Sequence, residues 1–175
     1  ALMETSQGMS LGINAGFWPH CTSREVSVAQ AISDARVHPS LLGRVFMSLR
    51  TMPIRVGNRV NAVGGGWSGP FFHDSTELSW QEIGREPELT TVTGRQRRIA
   101  TFSERQLEES IALLRPDVIF LNFLNYLKNE RDCAAFVRRL RTACAHLLIG
   151  TGPHIEDIVH VRSARDIMSF TGIAK

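Results

Sequence analysis

The apolar run at residues 117–124, DVIFLNFL, constrains the fold most: it is too short for a membrane span, too apolar for a half-exposed strand, and bounded by helical patterns on both sides. Before it, Ser103 with Gln106 has the spacing of a capping box, Leu107, Ile111 and Leu114 recur on one helical face, and Pro116 ends the helix. After it, a helix is predicted over 131–145 with Phe136, Val137 and Leu140 inward, followed by a strand over 147–149. Strand, helix, strand in that order predicts an α/β architecture with a mostly parallel sheet flanked by helices.

Upstream the pattern is looser. Residues 26–37 read as a helix, and Pro39 separates it from a second expected helix with Leu42, Phe46 and Leu49 on its apolar face. Residues 52–56 read as a strand ending at Gly57, and residues 58–74 as a long Gly-rich loop containing Gly64-Gly65-Gly66 and Gly69-Pro70. Residues 86–98, EPELTTVTGRQRR, belong on a loop entering or leaving a strand. No internal repeat, low-complexity tract or linker divides the 175 residues.

Hydrophobic residues make up 43% of the chain, enough for a continuous core, and a net charge of +3 is too small for wholesale attraction to a polyanion, so anion binding is expected to be local. Cys21, Cys133 and Cys144 form no CxxC pair and suit a reducing cytoplasm, and the histidines show no metal-ligand spacing. No apolar run approaches the roughly 18 residues of a membrane span, so no membrane association is expected.

In an open parallel sheet ligands bind beyond the carboxyl ends of the strands, which directs attention to loops following strands. These are residues 5–16 continuing to Thr22-Ser23, then Arg55-Val56-Gly57, residues 90–98, and Gly150-Thr151-Gly152-Pro153. Taken singly, each has a bland reading. Gln7-Gly8 is a turn, Thr22 caps the helix near Val26, Arg95, Arg97 and Arg98 form a solvated face or a nucleic-acid patch, and Asn125 caps a strand end.

In order and spacing over essentially the whole chain, however, the four loops resemble those of the adenylosuccinate synthase superfamily. The segment at 69–103 looks most like the bacteriophage and archaeal branch that includes 2-aminoadenylosuccinate synthases. The resemblance implies the carboxyl-terminal portion, residues 1–175, of a P-loop-NTPase-like ligase domain with long ligand-binding loops. The chain enters its first glycine loop at once, and no GDEGKGK-like phosphate loop is present, so the chain is expected to lack the amino-terminal half and to be inactive alone.

By resemblance Gln7 steadies the 6-phosphoryl intermediate, and Gln7, Thr22, Val56 and Arg95 contact the purine monophosphate. Thr91, Val92, Thr93, Gly94, Arg95 and Arg97 form the loop over L-aspartate, whose two carboxylates suit planar guanidinium forks. Asn122, Asn125, Thr151, Gly152 and Pro153 border the triphosphate. Where GTP-dependent members carry Thr-Lys-Leu-Asp, this chain has Asn122-Phe123-Leu124-Asn125, and an amide that both donates and accepts complements adenine better than guanine. The expected substrates are therefore dGMP, L-aspartate and ATP, with IMP and GTP as the alternative pair and a non-catalytic nucleotide- or nucleic-acid-binding fragment as the rival class. Magnesium is expected to be held by the absent half, with no metal site in this chain. A homodimer at full length, no nucleic-acid partner, and a cytoplasmic location (the host's, if phage-encoded) complete the expectations.

Overall fold

In the computed structural model the described residues are 1–59, 66–152, 154–162 and 166. Helix α1 (Val28–Ala35) starts at Ser27, whose hydroxyl accepts from Gln30 N at 3.2 Å, so Ser27 rather than Thr22 caps it. The four-stranded sheet is built from β1 (Phe46–Arg50), β5 (Val118–Asn122), β6 (His146–Gly150) and β7 (Ile158–Val161), in the order β1-β5-β6-β7. The β1–β5 and β5–β6 pairings are parallel, and β6–β7 is antiparallel.

The crossover between β5 and β6 is α3 (Glu130–Ala143). Asn129 caps it by accepting from Asp132 N, acidic residues fill its first turn, and Cys133, Phe136, Val137 and Leu140 bury its apolar stripe. Helix α2 (Glu104–Leu114) leads into β5 and adds Leu107 to the same core. Ser103 accepts from Gln106 N at 2.8 Å, but the reciprocal half of the expected box is not made. The Gln106 carboxamide instead donates to Ser10 Oγ at 2.8 Å, tying the amino-terminal loop to the helix.

The second expected helix is not formed. Its proposed face through Phe46 and Leu49 is β1, preceded only by a short 3-10 turn at Pro39–Leu41. The 3-4 spacing of Leu42, Phe46 and Leu49 is coincidental; the relevant period is two, with Met47 buried and Leu49 packed against the core while Phe46 and Ser48 face outward.

Beside the main sheet lies a second, antiparallel one: β2 (Ile54–Arg55), inside the strand expected over 52–56, β4 (Arg98–Ala100), which follows the expected loop, and β3 (Glu77–Leu78), which the sequence did not announce, in the order β2-β4-β3. Trp80, Ile99 and Tyr126 form its core, with Trp80 only 1% exposed and its indole N–H donating to Arg97 O at 2.7 Å. This small sheet carries the arginine-rich segment.

Candidate functional site

Residues 89–96 form a hairpin, bridged at Leu89 and Gln96, whose tip closes on itself. Thr90 N donates to Arg95 O at 2.8 Å, Gly94 N to Thr90 O at 2.9 Å, and the Thr90 and Thr93 hydroxyls meet at 2.6 Å. Gly94 takes the left-handed conformation that this reversal needs, at φ +61°. Thr91, Val92 and Thr93 stand out from the surface, Val92 at 95% exposure. Arg95 is half-buried against the loop, its Nε donating to Thr93 Oγ1 at 3.1 Å and its Nη1 reaching Gly57 O at 3.5 Å.

A cleft of about 390 Å³ opens beside this hairpin, walled by Gly57, Glu77, Trp80, Arg95, Arg97 and Arg98 among others. Two of the loops singled out from sequence thus share one concavity. A third adjoins it, because Arg55 donates through Nη2 to His20 O at 2.7 Å and through Nε to Ser68 O at 2.9 Å. Arg55 is 6% exposed and accepted only by carbonyls among the described residues. Burial, with the Arg98 charge beside it, pulls its guanidinium below the ordinary value. Val56, next in sequence, is exposed, and Thr22 lies two residues from the His20 anchor, its own N–H donating to Leu11 O at 2.7 Å.

The three neighbouring arginines do different things. Arg98 is spoken for: its Nε donates to Glu77 at 2.6 Å and its Nη1 to Ser68 Oγ and Gly69 O, clamping the Gly-rich loop to the small sheet. Its hydrogen bonds hold the Glu77 carboxyl below the usual range, against the smaller opposing effect of burial. Arg95 and Arg97 have no such saturation. Arg97 Nε is 3.9 Å from Glu88 Oε2, and both residues line the cleft.

The remaining candidates collect at the carboxyl ends of β1, β5 and β6, where Arg50, Asn122 and Gly150 end adjacent strands. A Cβ on Gly150 would lie 2.6 Å from Asn122 Oδ1, so the bare glycine backbone makes room for that amide. Thr151 donates through its N–H and hydroxyl to Asp157 O at 2.9 and 2.8 Å, and the Asp157 carboxylate crowds Gly152 while accepting from His154 N. Pro153 lies outside the described residues.

Phe123 adopts a left-handed backbone at φ +62°, unusual for an aromatic residue. Thr51 Oγ1 donating to Phe123 O at 2.5 Å and the Arg50 guanidinium 3.5 Å over its ring hold it there. Among the described residues four besides glycine have positive φ: Arg36 and Arg115 are helix C-caps, whereas Phe123 and Gln7 sit in candidate loops. Gln7 is exposed, and no hydrogen bond among the described residues ties it to the cleft. Asn125 is half-buried; its carbonyl accepts from Arg85, and its amide has no hydrogen-bond partner among the described residues.

Sequence reasoning missed Glu88, Arg50 and Tyr126, which join the two groups of candidates. Glu88 accepts from Arg50 Nη2 and, at 2.5 Å, from the Tyr126 hydroxyl. Burial first, and then Glu88, push the Tyr126 phenol up to about 12. Among the described residues no group of three or more His, Cys, Asp or Glu side chains comes together as metal ligands. No described helix is long and apolar enough to cross a membrane.

Residues 1–136 match the adenylosuccinate synthetase family. The chain belongs to that family. An N6-succino-2-amino-2'-deoxyadenylate synthase of Salmonella phage PMBT28 is 43% identical over 169 residues, which cover 89% of this chain and 46% of that protein. The adenylosuccinate synthetase of Pyrococcus horikoshii is 27% identical over 176 residues, covering 92% of this chain and 48% of the archaeal one. Among solved structures, the cyanophage S-2L succinoaminodeoxyadenylate synthetase PurZ, bound to dGMP and to dATP as an energy donor, superposes with a TM-score of 0.84 at 36% identity. That match covers 96% of this chain and 47% of PurZ. The mostly parallel sheet with flanking helices is therefore the family's fold, and the chain spans about half the length of the relatives it matches.

Proposed function

We propose that this chain is the carboxyl-terminal, substrate-gripping half of a ligase that joins L-aspartate to C6 of dGMP at the expense of ATP, giving 2-amino-2'-deoxy-N6-succinyladenylate. The observation that carries the reading is the placement of Arg95 and Arg97, whose guanidinium groups have no carboxylate within hydrogen-bond distance among the described residues, on the wall of a cleft shared with Gly57. A free amino acid with two carboxylates needs such planar, multi-donor partners. Identity to the phage synthases exceeds identity to the archaeal adenylosuccinate synthetase, which favours dGMP over IMP as acceptor.

On this reading the γ-phosphoryl group passes to the purine O6, and the aspartate amine then displaces phosphate at C6. Gln7, Thr22, Val56 and Arg95 hold the monophosphate, with the Gln7 carboxamide donating and accepting at the base. Residues 91–94 with Arg95 and Arg97 close over aspartate and exclude water from the activated base. Asn122, Asn125, Thr151, Gly152 and Pro153 border the triphosphate, and the open amide of Asn125 matches adenine's donor and acceptor edge. The dATP bound by PurZ supports an adenine energy donor. Magnesium would supply charge neutralisation at the transferring phosphoryl group, from ligands in the other half. A homodimer working in the cytoplasm, the host's if phage-encoded, completes the proposal.

The decisive assay joins the chain to its natural upstream sequence and compares dGMP with IMP, each with ATP and with GTP. Faster turnover of IMP overturns the acceptor, and binding of single-stranded DNA with steep salt dependence and no preference among nucleotides overturns the ligase reading. Arg95→Lys, which keeps the charge and loses the fork, is expected to lower kcat/KM about 10- to 100-fold.

A further inference from the structure

The two groups of candidate residues meet at Glu88. On the hairpin side its main-chain carbonyl accepts from Arg97 N at 2.7 Å, and its Oε2 lies 3.9 Å from Arg97 Nε. On the strand-end side its carboxylate accepts from the Tyr126 hydroxyl and from Arg50, whose guanidinium covers Phe123. Phe123 and Tyr126 bound the turn at 123–126 that holds Asn125, the residue proposed to face the adenine. One carboxylate thus faces two guanidinium groups, held closely by Arg50 and loosely by Arg97.

An incoming dicarboxylate competes with Glu88 for Arg97. As Arg97 turns to the ligand, Glu88 loses its weaker partner and its charge falls wholly on Arg50 and Tyr126, which fixes the turn at 123–126. We infer that Glu88 is a positioning residue that couples the aspartate hairpin to the triphosphate-side turn, so that each ligand strengthens binding of the other. The inference rests on the function proposed above. Because coupling between sites is reciprocal, it is read equally well from either ligand.

In the full-length protein, the KM for L-aspartate is measured at low and at saturating ATP, for the unaltered enzyme, Glu88→Gln and Tyr126→Phe. The unaltered enzyme is expected to show a ratio of about 5 or more, and Glu88→Gln a ratio near one, with kcat changing less than the KM values do. Tyr126→Phe, which breaks only the strand-end side, should also reduce the ratio; it serves as the test if Glu88→Gln does not fold. A readout that needs no turnover is the phenolate absorbance of Tyr126, identified as the part of the alkaline difference spectrum lost in Tyr126→Phe; burial and Glu88 push this phenol up, so it should ionise at lower pH in Glu88→Gln. An unaltered enzyme without aspartate-dependent turnover overturns the proposed function and this inference with it. An active enzyme whose ratio persists in Glu88→Gln or in Tyr126→Phe overturns the inference alone.

Discussion

The four-stranded sheet and the three-stranded sheet are held together by different physics. The larger one buries a continuous layer of Ile119, Leu121, Leu147 and Ile149 under Val137 and Leu140, all fully or almost fully removed from water. The smaller one has strands of two or three residues, and among the described residues its buried cluster is Trp80, Ile99 and Tyr126 with partly buried neighbours such as Ile54 and Leu78. Its place is kept by polar tethers: Arg55 to the carbonyls of His20 and Ser68, Arg98 to Glu77 and Gly69, Trp80 to Arg97 O. The candidate aspartate hairpin hangs from this tethered region. Apolar packing is indifferent to direction, whereas hydrogen bonds fix where a guanidinium points, and a binding loop needs the second property.

The sharpest way to break this contrast is to empty the apolar region. Leu121→Ala leaves a cavity in the main core and is expected to cost about 2–5 kcal/mol in chemical denaturation, while leaving nucleotide preference intact in whatever fraction folds. Next comes Gly57→Ala, whose Cβ would lie 2.2 Å from Gln96 O, a backbone atom that cannot swing aside. Displacing the hairpin should cost about 1–3 kcal/mol and weaken aspartate binding more than the triphosphate's. If Gly57→Ala impairs both ligands equally, the hairpin is not a separate body.

The smallest effect is electrostatic. Glu77 is held below its ordinary carboxyl value by Arg98, so the pair contributes above the unfolded value of about 4.3 and its contribution is lost as pH falls through the lower folded one. Glu77 is nearly half exposed, which limits the contribution to about 1 kcal/mol or less. Amide protection factors in β3 and β4, taken relative to the intrinsic exchange rate at each pH, should fall in acid before those in β5 and β6, and Glu77→Gln should remove that pH dependence. Equal acid sensitivity in both sheets would refute the tether account.

What is readable in the sequence follows the same division. Helices α2 and α3 and strands β5 and β6 carry the periodic apolar residues and caps that burial imposes, and they are legible. The small sheet is only partly so: the strand expected over 52–56 contains β2, whereas β3, two residues long, leaves no period to read. Leu42 before β1 and Phe46 and Leu49 within it are spaced so that they imitate a helix, and that imitation hides Arg50 at the strand's carboxyl end. Read as a strand, β1 exposes Arg50 and Thr51 by the same rule that draws attention to the loop after β6. Glu88 gives no signal: in a charged stretch its role depends on Tyr126, 38 residues away. Arg98, by contrast, reads as one of three similar cations, and only its partners distinguish it from Arg95 and Arg97.

The close fit of Asn122 over Gly150 has a consequence for how the carboxyl ends of β5 and β6 can change. A side chain grafted onto position 150 obliges the neighbouring carboxamide to turn away, so the two positions are not independent variables of mutation. A descendant that enlarges position 150 without turning or shrinking the side chain at 122 loses this arrangement, so the two positions change together or position 122 shrinks first.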